Sequence, residues 1–172
     1  FSIGEISAIV GNVVSIRGSL AATHAAIGTT VRRLPTPNKG PSLEDVVLDG
    51  GLGVITSCGA VFEACLEPMT HNVTTRNFSR AGIELNKGSR HSSIGATHDG
   101  GQNCCVMVAE ASRSHVEVKS TGKGARCHTA GKIRGIVTVR HRCHDTIIDG
   151  CDLRNGCTGI VIKGAISIDV MN

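Results

Sequence analysis

The residues best equipped for chemistry lie near the end of the chain. Asp145, Asp149 and Asp152 offer carboxylates, and Arg142, Arg154 and Lys163 offer cations, all within one short stretch. A carboxylate cluster can neutralise a uronate, alone or through a bound calcium ion held by oxygen donors. A Lys or Arg can then act as the base that begins a β-elimination. Several of these residues alternate with aliphatic positions, so an extended chain would point them outward together. Asp145, Asp149 and Lys163 are therefore candidate catalytic residues, and Arg142, Asp152 and Arg154 are candidate substrate contacts. The competing reading is plain solvent-facing charge.

Other constellations are weaker. His141, Cys143 and His144, with Cys127-His128 upstream and Cys151 and Cys157 downstream, are metal-ligand types. Their spacing is irregular and lacks a Cys-x2-Cys pair, so disulfides explain them more simply than zinc. His24 and Asp45 stand in the order of one serine protease family, but no Gly-Asp-Ser-Gly follows. Gly122-Lys123-Gly124 is too short for a phosphate loop.

The elements that must position these residues are short strands. From Gly135 onward, aliphatic clusters at Ile136-Val137, Ile147-Ile148, Leu153, Ile160-Val161-Ile162 and Ile166 to Val170 are punctuated by Asp149-Gly150, Asn155-Gly156 and Lys163-Gly164. No cluster is long enough for a helix and no gap holds a crossover helix. Upstream, Ala8 to Val10, Val13 to Ile16, Val46 to Leu48, Ile83 to Leu85, Val106 to Val108 and Val116 to Val118 repeat the pattern of brief strands separated by Gly. The one helical candidate is Ala60 to Leu66, with a brief turn at His24 to Ile27. Loose similarity at about 20–25 residues predicts roughly seven coils of a solenoid. Inward side chains would stack in rows between coils. Asn72, Asn77, Asn86, Asn103, Asn155 and Asn172 are candidates for turn or ladder positions.

The fold class is therefore all-β, a parallel β-helix, with a β-sandwich as the alternative. Three of the four Pro fall between Leu34 and Pro41. That loop divides residues 1–41, a capping or first-coil segment, from residues 42–172, the main coils, within one domain. The chain has three Phe and no Tyr or Trp. A sandwich core normally uses several rings, whereas a thin coil is filled by Val, Ile, Leu and Ala.

The same scarcity removes the stacking platform that single-stranded nucleic acid needs, and no nucleic-acid partner is expected. The net charge is +4, with dispersed cations that allow weak affinity for acidic polymers. No run of apolar residues is long enough for a membrane span. Eight Cys allow up to four disulfides, and Asn72-Val73-Thr74 and Asn77-Phe78-Ser79 are glycosylation sequons. Together they favour a secreted protein glycosylated at Asn72 and Asn77. Buried thiols in a reduced compartment are the alternative. No signal peptide is visible, so the chain is either mature or a fragment. The end at Asn172 reads as an open coil edge for a partner or missing residues to cap.

The residues Gly135 to Val139, His144 to Asn155 and Gly159 to Gly164, with a fainter copy at His71 to Leu85, resemble the right-handed parallel β-helix of polygalacturonases and pectate lyases. The resemblance implies coil geometry and an acidic polysaccharide as ligand or substrate. The adjacent Asp pair of the polygalacturonases is missing; Gly156-Cys157-Thr158 stands in the matching place. Hydrolysis lacks its acid and base, which leaves a lyase or a non-catalytic adhesin, binding surface or structural solenoid. Separately, Ser42 to Gly50, Arg80 to Gly88 and His98-Asp99-Gly100-Gly101 are similar to parts of aldose 1-epimerases. That resemblance implies a β-sandwich and nominates His98 for sugar ring opening.

Overall fold

The computed structural model describes residues 5–10, 13–17, 39–51, 58–100, 104–120, 128–129, 132–133, 135–154 and 158–171. All regular elements among them are strands: β1 (Glu5–Val10), β2 (Val13–Arg17), β3 (Ser42–Asp49), β4 (Cys58–Glu63), β5 (Met69–Arg76), β6 (Ala81–Asn86), β7 (Ser93–His98), β8 (Cys104–Ala109), β9 (Ser112–Ser120), β10 (His128–Thr129), β11 (Lys132–Ile133), β12 (Val137–Arg140), β13 (His144–Ile148), β14 (Asp152–Leu153), β15 (Ile160–Lys163) and β16 (Ile166–Val170).

From β3 onward the chain alternates between two parallel sheets. Sheet I runs β3-β5-β7-β9-β13-β16, with β14 also on β9; sheet II runs β4-β6-β8-β12-β15. Each strand pairs in parallel with its equivalent one turn later, as in Ile94 with Val116 and Ile83 with Val106. This is a parallel β-solenoid of about four turns. It has fewer turns than the seven that even spacing predicted. Part of the chain is used elsewhere: β1 and β2 pair with each other antiparallel, as do β10 and β11. The step from the end of β9 at Ser120 to the start of β12 at Val137 is also long in sequence. The helix expected at Ala60 to Leu66 is instead β4, in which Phe62 is buried between exposed Val61 and Glu63. The turn expected at His24 to Ile27 lies outside the described residues.

The core follows from register. Leu43, Thr70, Ile94, Val116 and Ile148 are successive partners in sheet I. Phe62, Leu85, Val108 and Val139 do the same in sheet II. Ile83, Leu85, Ile94, Val106, Val108, Val116 and Val139 are essentially inaccessible to water. Burying one such side chain contributes about 1.5–3 kcal/mol. Aliphatic columns of this kind need no large rings. In the last turn Ile162 and Val170 are half exposed.

The corner leading from sheet II back to sheet I is built from two recurring left-handed positions, with Gly88 and Arg142 adding a third in two of the corners. The first falls at Ala64, Lys87, Glu110, His141 and Gly164, with φ of 53°, 48°, 52°, 55° and 65°. The second falls at Gly40, Glu67, His91, Arg113, Asp145 and Ser167, with φ between 51° and 65°. Strand register makes these two columns, one member for each successive strand. Between them an inward position takes Cys65, Ser89, Ala111, Cys143 and Ala165, all small, because the corner is narrow.

Disulfides were expected from the Cys count. Cys58, Cys65, Cys104, Cys105, Cys143 and Cys151 instead form no disulfide among the described residues. The register separates them. Cys65 and Cys143 share the inward corner column but have Ser89 and Ala111 between them. Cys104 and Cys105 are adjacent on one strand and point to opposite faces. Burial raises the pKa of Cys65, Cys143 and Cys151, and pushes that of Cys105 up to about 12, so these thiols stay protonated. Cys127 and Cys157 lie outside the described residues.

Candidate functional site

The corner columns carry charge. Left-handed backbone turns the side chain away from the core, and every non-Gly member of the second column is exposed. The last four corners hold six cations, Lys87, Arg90, Arg113, Arg140, Arg142 and Lys163, and two carboxylates, Glu110 and Asp145. His91, His141 and His144 stand among them. Arg90 Nη2 lies 3.5 Å from His91 Nε2. Partial burial, then Arg90 and Arg113, lower the pKa of His91, against a smaller opposing effect of Glu67. Two positive arginines close to one imidazole disfavour a third positive charge.

The structure divides the candidate residues into three places. Arg142, Asp145 and Lys163 come together on this corner. The backbone fixes them: Arg142 N donates to Gly164 O at 2.8 Å, and His141 N to Lys163 O at 3.1 Å. Asp149, Asp152 and Arg154 lie at the far end of sheet I, a strand length from Asp145. There Asp149 Oδ2 is 3.9 Å from His115 Nε2, and Arg154 Nε donates to Asp152 Oδ1 at 2.7 Å. His98 is inside the coil, 4% exposed, in one inward row with Leu48, Thr75 and Ser120. Burial lowers its pKa, and the nearby Asp99 opposes this. The recess beside His98, Thr75 and Gly82 has no room for a water molecule. The resemblance to aldose 1-epimerases nominated His98 together with a β-sandwich, and the chain forms a solenoid instead.

The sequons separate as well. Asn72 is exposed, and its Nδ2 donates to Asp45 Oδ1 at 2.7 Å. Asn77 is half-buried, and its Nδ2 donates to Asp49 Oδ1 at 2.9 Å. Both bonds reach back one rung, so the expected ladder joins Asn to Asp rather than Asn to Asn. Among the described residues no three His, Cys, Asp or Glu side chains converge as metal ligands. The zinc candidate divides across the chain wall: Cys143 faces inward and donates to Arg140 O at 2.9 Å, whereas His141 is exposed. No described helix is long and apolar enough to cross a membrane.

Sequence reasoning missed Glu84. Its place between Ile83 and Leu85 marks an outward strand position, which implies exposure. It is 2% exposed, on the outer face of sheet II beside buried Met107 and Thr138. Arg80 Nη2 donates to Oε1 at 2.5 Å, Asn86 Nδ2 to Oε1 at 3.3 Å, and Cys58 Sγ to Oε2 at 3.2 Å. Alternation gives the side of a strand and not what covers that side. A buried carboxylate with three donors is a structural clamp, since its oxygens are all engaged.

No family model, curated protein or solved structure matches the chain.

Proposed function

We propose that this protein is a carbohydrate-binding β-solenoid that holds an acidic polysaccharide at the corner between its two sheets. The observation that carries this reading is the register that brings exposed Arg142, His141 and Lys163 to one corner with half-buried Arg140 and His144. Cations on fixed backbone attract a polyanion without ordering long loops first. A uronate or sulfated glycan supplies that charge, and it is met outside the cell, where the exposed sequon at Asn72 would also be used.

Holding is favoured over cleaving. Asp149, Asp152 and Arg154 stand too far from Arg142 and Lys163 to act on one sugar linkage. General acid–base catalysis needs its groups within hydrogen-bond reach of the same substrate atoms. The test is calorimetric titration with polygalacturonate, alongside ultraviolet detection of unsaturated uronate. Salt-sensitive binding without product supports the reading. Product formation would restore the lyase, and absence of binding at low salt would remove the polysaccharide altogether. An adhesin or purely structural solenoid is then what remains.

A further inference from the structure

We infer that the last turn of the solenoid docks on the last turn of a second copy of this chain. The result is a two-fold dimer in which β16 pairs antiparallel with β16 of the second copy, and β15 with its β15.

The end face is apolar and its strand edges are open. β15 and β16 stand last in sheets II and I, each bonded to a neighbour on one side only among the described residues. The inward rows run on to this end. Ile160 and Ile162 continue the row of Val137 and Val139, and Ile168 and Val170 continue that of Thr146 and Ile148. The earlier members are buried, whereas Ile162, Ile166 and Val170 are about half exposed, with exposed Met171 beside them. Edge strands are normally guarded by several charges, a Pro or a covering loop. Here each strand carries one charge, Lys163 or Asp169, and no Pro.

The residue pattern complements itself. Opposite residues of an antiparallel pair share a face. Centred on Ile168, β16 sets Ile166 against Val170 of the second copy and Ile168 against Ile168. Ser167 then stands against Asp169, so a hydroxyl meets each carboxylate. Centring on Asp169 would oppose two carboxylates, which is unfavourable. Centred on Val161, β15 sets Ile160 against Ile162. Val161 lies three residues before Gly164, and Ile168 three residues after Ala165. Both centres are thus equal steps from the corner, and one two-fold axis serves both strands.

Charge selects this axis over the other that could close the pair. The alternative lays β16 on β15 and stacks corner on corner, bringing Arg142 and Lys163 against the same two cations. The chosen axis instead turns that corner over the far end of sheet I, where exposed Asp152 and Asp169 and half-buried Asp149 lie and only Asp152 is paired with Arg154. Opposite potentials then face each other at both edges of the dimer. The end face measures about 10 Å by 17 Å. That is well under the size of a permanent interface, so a reversible dimer with dissociation on the order of micromolar is expected.

The test is sedimentation equilibrium of the full chain over a range of concentrations. A monomer–dimer equilibrium is the predicted result. Ile166→Lys/Val170→Lys sets like charges opposite each other and should weaken the dimer roughly tenfold or more. Val47→Lys, exposed on the outward face of β3, should stay within about twofold. Circular dichroism checks that each variant keeps its strands. Val161→Cys sits on the axis and should cross-link to itself under mild oxidation, above the background set by the unaltered protein. Ile166→Cys alone should not, because its opposite is Val170, whereas Ile166→Cys/Val170→Cys should. A monomer at millimolar concentration, a dimer unmoved by the two lysines, open-ended growth into larger assemblies, or no cross-link at Val161→Cys would each overturn the inference.

Discussion

Asn77 holds Asp49 across one turn of the solenoid, its Nδ2 donating to Asp49 Oδ1 at 2.9 Å. Gly51 N donates to the same oxygen at 2.9 Å, and Arg76 Nε donates to Oδ2 at 2.8 Å. The Asn77 bond, then Gly51, then Arg76 lower the pKa of Asp49 to about 2. An unfolded Asp titrates near 3.9. The bonds therefore stabilise the fold above about pH 4, and that contribution is lost as pH falls through about 2. Asp49→Asn should lower stability at pH 7, match the unaltered protein near pH 2, and so flatten acid unfolding in this window. A denaturation series from pH 5 to pH 2 measures it, and an unchanged acid limb would refute the role.

Glu84 should be the most sensitive polar position. Glu84→Ala removes the acceptor of Arg80, Asn86 and Cys58. Hydrogen bonds to charged groups are worth about 1.5–3 kcal/mol each. Because Arg80 is partly exposed, a total loss of about 3 kcal/mol is expected, and Glu84→Gln should lose less by keeping two acceptor contacts. Chemical denaturation of both variants checks the order.

Two glycines should fail for different reasons. A Cβ at Gly82 would sit 2.4 Å from Thr75 Oγ1. Gly82→Ala should therefore destabilise strongly, and Thr75→Gly in the same chain, which removes the Cβ and Oγ1 it would meet, should recover part of the loss. At Gly164 φ is 65° and the nearest atom to a Cβ is His141 N at 4.0 Å. There is space, so Gly164→Ala should lose only the left-handed penalty of about 1 kcal/mol, with no rescue by neighbouring changes. Equal losses at the two sites would contradict this division.

Binding should strengthen in mild acid. The neighbours of His91 are Arg90, Arg113 and Glu67, and its pKa lies below the ordinary value. Protonation adds a cation to the corner, and a bound polyanion offsets the repulsion from both arginines. Uronate affinity should therefore rise as pH falls from about 7 to 5, through and below the usual His range. His91→Gln should reduce that rise and leave affinity at pH 7.5 nearly unchanged. A pH-independent affinity in the unaltered protein would defeat the prediction.

Much of the solenoid is legible in the sequence. The aliphatic clusters at Val137, Ile147-Ile148 and Ile160 to Ile162 become β12, β13 and β15. Their spacing near 22–23 residues is visible in pairs such as His144 with Ile166 and Val137 with Ile160. The corners are not legible. Left-handed backbone is usually signalled by Gly or Asn, yet Glu67, His91, Arg113 and Asp145 adopt it here. Stacking on the turns before and after holds them in place. The corner also explains the mixed fate of the candidate residues. Arg142 and Lys163 are distant in sequence and close in space because Lys163 ends β15 and Arg142 lies just past the end of its partner β12, with Arg142 N bonded to Gly164 O. Asp145 and Asp149 are close in sequence and separated by the length of β13.

The most direct measurement is amide NMR mapping during titration with a uronate tetramer. The account predicts shifts concentrated at residues 87–91, 110–113, 140–145 and 163–167, recurring once per turn. Shifts confined to residues 71–76 and 115–119 on the outward face of sheet I would contradict it, as would no shifts at all.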